Sequence, residues 1–403
     1  MSKLFDYIIC LIIVSLTFMI IPGWVPELRK SWILLACGTI IGVFSYRNYI
    51  SSDCWKWLII YFAVLILNVT LGDKYVSTFP EAIYQLLLLV FPTIILLYGI
   101  KSVNYNFIKT VFFVVLSIIS ITTVLSFIVN LENPEAIRTT VKIMTKEQDM
   151  DKLYSFYKIG LSSYSLPHAI PILLPVLVYG CRKSISKKYK VIYATSILLG
   201  CVLVFISGAA TSLLMSFLLL IILFFVREKQ LTTRSLVFLF LLITLSSMIN
   251  DETKLAFLDY IDNFVSDESS FHGKVMDFKE SIIIGETVGD VASREDLYIL
   301  SFKQFYSNVL IGTNEKMGQH SSLLDFLGAF GLLGFIPMYI YLKSCFKIIS
   351  KVIPLDAYNY YLLSILSFIV LIFVKSMWVW EIFIVLLVCV PFGFLTISLS
   401  RKL

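Results

Sequence analysis

Phe107-Ile-Lys-Thr-Val-Phe-Phe-Val-Val-Leu-Ser-Ile-Ile-Ser-Ile-Thr-Thr-Val-Leu-Ser-Phe-Ile-Val129 carries one charge, Lys109, near its start. A run of about 17–25 apolar residues is long enough to cross a bilayer as a helix, so this stretch predicts a transmembrane span. Eleven similar runs lie along the chain, at about 5–21, 31–46, 57–72, 82–100, 164–180, 191–207, 209–226, 235–249, 321–342, 357–374 and 378–399. The composition agrees. Of 403 residues, 58% are apolar and 15% charged, and mean hydropathy is +0.88, against roughly 45–50% and about 25% in soluble domains. The sequence predicts an all-α polytopic membrane protein with about twelve transmembrane helices, a single integral domain over residues 1–403. It excludes an ordinary soluble enzyme, a disordered chain, a collagen and a disulfide-stapled module.

Lysine and arginine gather in loops that face the cytoplasm. With both termini cytoplasmic, the inner loops hold eighteen such residues, and the short outer loops hold only Arg29, Lys30, Lys74 and Lys375. The net charge of +6 follows from this pattern and implies no nucleic-acid partner. Two outer segments are long: 130–163, and 250–320 between the ninth and tenth spans. Since the cytoplasmic loops are short, chemistry is expected on the extracytoplasmic side. The seven cysteines lie in the spans or at their edges, which indicates neither a disulfide framework nor a zinc site. The first run is followed by Pro22-Gly23-Trp24 rather than a small-x-small cleavage site, so it reads as a retained helix.

The large outer loop has a net charge of −7 and one arginine, Arg294. Ser293-Arg-Glu-Asp296 reads as a capping-box variant with Ser293 as N-cap. It opens an amphipathic helix over about 294–307, expected to lie in the membrane interface with its apolar face down. Arg294 either pairs with a loop carboxylate or serves as an anion clamp, because a guanidinium fork matches phosphate oxygens. His320 stands just before the tenth span. A helix N-terminus disfavours imidazolium, so this ring either bonds backbone or acts as a general base. Asp325, one turn further on, could orient His320 or bind an acceptor hydroxyl.

His168 lies between Pro167 and Pro171 near the outer surface, as a structural residue or as the lining of a cleft. His272 reads as a solvated loop residue. Arg138, Lys142, Lys152 and Lys158 belong to a loop of no net charge, solvated or contributing to a diphosphate site. Asp149-Met-Asp151 reads as solvated, since that side lacks nucleotides. Glu381 is flanked by Trp378 and Trp380, a grouping that suits a membrane belt or a sugar face. Walker A, Gly-x-Ser-x-Gly, His-Glu-x-x-His and Cys-x-x-Cys patterns do not occur, which leaves ATP hydrolysis, serine hydrolysis and zinc chemistry unsupported.

The stretch Ser293-Arg294, Phe302, Phe305-Tyr-Ser-Asn-Val-Leu-Ile-Gly312 and His320-Ser-Ser-Leu-Leu-Asp-Phe-Leu-Gly-Ala-Phe-Gly-Leu-Leu-Gly334 resembles the O-antigen polymerase and O-antigen ligase family. Asn308-Val309 stands where that family usually has proline, and Gly312-Thr-Asn replaces Gly-x-Gly. The hinge Ser207-Gly-Ala-Ala-Thr-Ser212 lacks the arginine that many members carry nearby. Arg138 is the first substitute for that second cation, with Lys142, Lys152 and Lys158 behind it.

The resemblance implies a membrane glycosyltransferase of the bacterial cytoplasmic (inner) membrane, acting in lipopolysaccharide or capsular polysaccharide biosynthesis. It would transfer a glycan from undecaprenyl diphosphate to an incoming lipid-linked repeat unit, with inversion and without metal or other cofactor. Arg294 would stabilise the diphosphate and His320 would deprotonate the acceptor. Arg138, Lys142, Lys152, Lys158, His168, Asp325 and Glu381 would bind substrate. Membrane lipids, a chain-length regulator and a flippase are the implied partners. A ligase acting on lipid A core is the nearest alternative; a lipid-linked oligosaccharide flippase or other secondary transporter is the different-class one.

Overall fold

The computed structural model describes residues 52–70, 78–102, 105–133, 136–138, 140, 150–225, 251–263, 270–284, 290–315 and 320–401. The runs at 5–21, 31–46 and 235–249 lie outside these residues, as does Lys142. Among the described residues the protein is all-helical, 85% in helix and without strands. In chain order, α1 is Ser52–Thr70, α2 Phe79–Ser102, α3 Tyr105–Glu132, α4 Met150–Ile159, α5 Leu166–Lys183, α6 Lys187–Ile206 and α7 Ala210–Phe225. Three loop helices follow: α8 Asp251–Asp262, α9 Ser270–Ile284 and α10 Asp290–Ser307. The last three are α11 Ser322–Ser350, α12 Tyr358–Val374 and α13 Trp380–Leu399.

Five helices (within α2, and α3, α6, α11 and α13) are long and apolar enough to cross a membrane, while α1, α7 and α12 are shorter and also apolar. This is the pattern of a multi-pass membrane protein. α13 is the central helix. It packs against α2, α3, α5 and α12, and every side chain from Ile382 to Val390 is buried. Close approach there depends on small residues: a Cβ on Gly393 would lie 2.4 Å from Val176 and 2.7 Å from Phe112. A turn of π-helix, Val385–Cys389, interrupts α13 among these buried residues.

Polar bonds gather at two opposite ends of the helical body. α5 and α13 run the same way. At their C-terminal end, Tyr179 Oη donates to Asp356 at 3.0 Å and Arg401 pairs with the same carboxylate at 2.7 Å. Arg182 reaches Tyr360 Oη at 2.9 Å beside them. The N-terminal ends of α5 and α13 define the other end, where the candidate site residues lie.

Candidate functional site

Three titratable side chains are buried at this end, and each holds a serine from a distant segment. Ser163 Oγ, just before α5, donates to Glu381 Oε1 at 2.8 Å. Ser212 of α7 hydrogen-bonds His168 Nδ1. Ser301 of α10 donates to Asp325 Oδ1 at 2.7 Å. A serine hydroxyl supplies one donor to a carboxylate without bringing a second charge into a low-dielectric region. The Tyr164 ring stands edge-on to His168, 5.1 Å between centroids, so His168 is held in the packed interior and lines no open cleft: it is 0% exposed. The serines gave little signal in the sequence. All three lie in segments singled out for other residues: Ser163 closes the outer loop 130–163, Ser301 belongs to the amphipathic helix, and Ser212 ends the glycine hinge after α6, where Gly208 has φ 62°.

The arrangement of α10 differs from the sequence expectation. The helix begins by Asp290, which places Ser293 and Arg294 inside it, so Ser293 is not its N-cap. α10 packs against α11. Ser301 meets Asp325, Gln304 meets Gly328, and the segment after α10 reaches Leu332 and Leu333, so α10 descends in parallel beside the first half of α11. The chain then turns back. Thr313 N donates to Gly328 O at 2.9 Å and Asn314 N to Ala329 O at 3.0 Å, which starts the return towards His320. A re-entrant hairpin results, packed against a span.

This hairpin is fitted to a break in α11. Gly331 has φ 56° and ψ −159°, a conformation open essentially to glycine alone. Helical bonds lost at the break are replaced from the hairpin: Leu332 N donates to Val309 O at 2.9 Å and Leu333 N to Leu310 O at 3.0 Å. Non-helical backbone inside an apolar helix is tolerated when it is paired in this way. Gln304 fixes the returning segment, donating to Thr313 Oγ1 and to Glu315 O.

His320 directly precedes Ser321, the N-cap of α11, whose hydroxyl accepts from Leu324 N at 3.2 Å. Ser322 is tied to the connection between α12 and α13: its hydroxyl accepts from Met377 N at 2.6 Å, and its own N donates to Lys375 O at 3.1 Å. His320 is therefore anchored close to the segment leading into Glu381. Arg294 lies seven residues before Ser301, about 10 Å along the axis at 1.5 Å per residue; its side chain lies outside the described part. Lys152 and Lys158 are exposed on α4, where the Lys152 ammonium is 5.9 Å from the Phe156 ring centroid.

The tryptophans flanking Glu381 pack inward, Trp380 buried and Trp378 half-buried. Trp380 packs edge-on against Tyr84 and Phe91, and Trp378 against Phe383 with tilted contact to Phe326. Two donors at this end are buried and have no hydrogen-bond acceptor among the described residues: Arg138 Nη1 and Trp378 Nε1. Arg138 follows α3, whose last turns are joined to the start of α5 by Ser162 N donating to Ser126 Oγ at 2.8 Å.

His272 is also placed differently from expectation. Its Nδ1 is 2.7 Å from Asp262 Oδ1, and Lys279 pairs with the other oxygen at 2.6 Å, which clamps α8 to α9. His272 is half-buried in this helix pair and tied to a carboxylate, rather than a solvated loop residue.

No protein-family model matches the chain, and no curated protein is similar to it.

Proposed function

We propose that this chain is a glycosyltransferase of the bacterial cytoplasmic membrane, with about twelve spans, cytoplasmic termini and a site on the extracytoplasmic side. It transfers a glycan from undecaprenyl diphosphate to an incoming lipid-linked repeat unit, as an O-antigen or capsular polysaccharide polymerase. The observation that supports this most is Arg138 Nη1, a buried guanidinium nitrogen without an acceptor among the described residues. Leaving a buried donor unpaired costs about 1–3 kcal/mol, more when it is charged, and a diphosphate oxygen removes that cost. Trp378 Nε1 offers a second buried donor, suited to a sugar hydroxyl.

In this reading the acceptor hydroxyl oxygen attacks the anomeric carbon while the bond from that carbon to the diphosphate breaks. His320 receives the hydroxyl proton. Arg294, with Arg138 as second cation, stabilises the charge leaving on the diphosphate. A single displacement inverts the anomeric centre. Diphosphate is already a good leaving group, so no general acid is needed.

The flippase reading draws on one observation, the discontinuity of α11 at Gly331, because transporters use broken helices to build sites near the midplane. Against it, the freed backbone groups are taken up by Val309 and Leu310 rather than presented to a substrate. Deleting the gene in its host tests the assignment. Loss of polymer with single capped repeat units at the surface supports a polymerase. Polymer accumulating on the lipid carrier indicates a ligase, and repeat units retained in the cytoplasm indicate a flippase.

A further inference from the structure

Away from the polar site, α3 carries a groove of about 600 Å³ lined by Asn106, Lys109, Thr110, Phe113, Ser117 and Ile118, with Val114 beside them. These positions recur at helical spacing and form one stripe. Over the twelve steps from Asn106 to Ile118 the stripe is about 18 Å long at 1.5 Å per residue, close to the depth of one leaflet of a hydrocarbon core about 30 Å thick. Its polar groups are concentrated at one end, with Asn106, Lys109 and Thr110, and its deeper wall is mostly apolar. The outward surface of α3 continues apolar beyond it, with Ile121, Val124, Phe127 and Ile128 exposed.

Lys109 makes no ion pair among the described residues. Its ammonium lies 5.9 Å from the Tyr105 ring centroid and 5.4 Å from that of Tyr189. The Tyr189 ring is itself held in place by Phe113, which stacks on it at 5.5 Å and on Tyr193 at 6.4 Å. Cation–π contact positions an ammonium without neutralising it. Lys187, Lys188 and Lys190 are exposed around Tyr189 at the start of α6. Neither 82–131 nor 160–227 contains an Asp or Glu.

We propose that this groove is a binding site for an anionic phospholipid, its phosphate on the Lys109 ammonium and one acyl chain along Phe113, Val114 and Ile118. The one-sided positive charge selects an anionic headgroup. The apolar wall selects a lipid over a free phosphate.

The test uses the full chain in phosphatidylcholine nanodiscs containing a minor fraction of spin-labelled phosphatidylglycerol, and reads the motionally restricted lipid against labelled phosphatidylcholine. The wild type prefers phosphatidylglycerol. Lys109→Gln lowers that preference about five-fold, the worth of one lysine near a membrane surface, and Lys109→Arg retains it. Ser117→Phe, which fills the groove, reduces restriction of both lipids. An unchanged preference in Lys109→Gln overturns the proposal. So does loss of the wild-type preference on adding millimolar inorganic phosphate, which would mark a phosphate site without a lipid.

Discussion

Gly312 and Gly331 meet backbone to backbone: a Cβ on Gly331 would lie 2.6 Å from Gly312 N and 2.5 Å from Leu310 O. A Cβ on Gly312 would lie 2.3 Å from Ala329 O. Both residues have positive φ, 76° and 56°. The contact holds the re-entrant hairpin in the break of α11, and neither neighbour is a side chain that could swing aside.

Gly331→Ala and Gly312→Ala are each expected to destabilise the detergent-solubilised protein by at least about 1–3 kcal/mol from backbone strain alone. Thermal unfolding followed by far-UV circular dichroism reads this as a lowered midpoint. Gly273→Ala is the control: nothing lies within 4 Å of its Cβ position in α9, and replacing a helical glycine gains about 0.5–1 kcal/mol. Equal midpoints for all three variants would refute the close-contact account.

Ser301 and Asp325 join the hairpin to α11 one turn inside that helix. Ser301→Ala removes a donor from a buried carboxylate, at an expected cost of about 1–3 kcal/mol. A double-mutant cycle with Asp325→Asn should give a coupling of at least about 0.5 kcal/mol. Additive effects within error would mean that the 2.7 Å bond contributes nothing to docking.

The apolar helices among the described residues were legible in the sequence because an apolar run leaves few alternatives. α3, α12 and α13 begin within two residues of the expected runs. α10 was legible as a helix and its contact with α11 was not, since an amphipathic pattern does not name the element it packs against. What sets that contact is the fit of Gln304 and Ser301 against Gly328, which composition does not encode. The titratable residues of the site could be picked out because charges in apolar runs are rare. Their serine partners could not, since serine is common in membrane helices and the pairs Ser163–Glu381 and Ser212–His168 join segments 218 and 44 residues apart.

The proposed chemistry separates three residues by what each loses. His320→Ala and Arg294→Ala should each abolish long chains at normal protein abundance, with a loss of about 10²–10⁴ in rate expected for a general base. Arg138→Gln should act on binding instead, raising KM for the lipid diphosphate by ten-fold or more, on the order of the 1.5–3 kcal/mol of a charged hydrogen bond. Chain-length profiles on gels and initial rates with purified lipid-linked repeat unit read the two effects. Near-normal chains in the His320 or Arg294 variant would reject the assigned role.

The clamp between α8 and α9 gives a dependence on pH with a definite sign. Lys279, first, and then His272 hold the Asp262 carboxyl below its ordinary range, and Asp259 with Asp262 holds the Lys279 ammonium above its own. A depressed carboxylate contributes stability above its unfolded pKa of about 3.9, lost as pH falls through the lower folded value. A raised ammonium contributes below its unfolded value of about 10.4, lost as pH rises through the higher folded one. The contact between the two helices is therefore expected to be firmest between these limits and to weaken modestly at either extreme, as for an exposed ion pair. Hydrogen exchange of 251–263 and 270–284, corrected for intrinsic rates, should show protection falling below about pH 4. Lys279→Met removes the cation from Asp262 and raises the pH at which protection is lost on acidification. Protection that falls at the same pH in wild type and variant would show that Lys279 does not set the titration of Asp262.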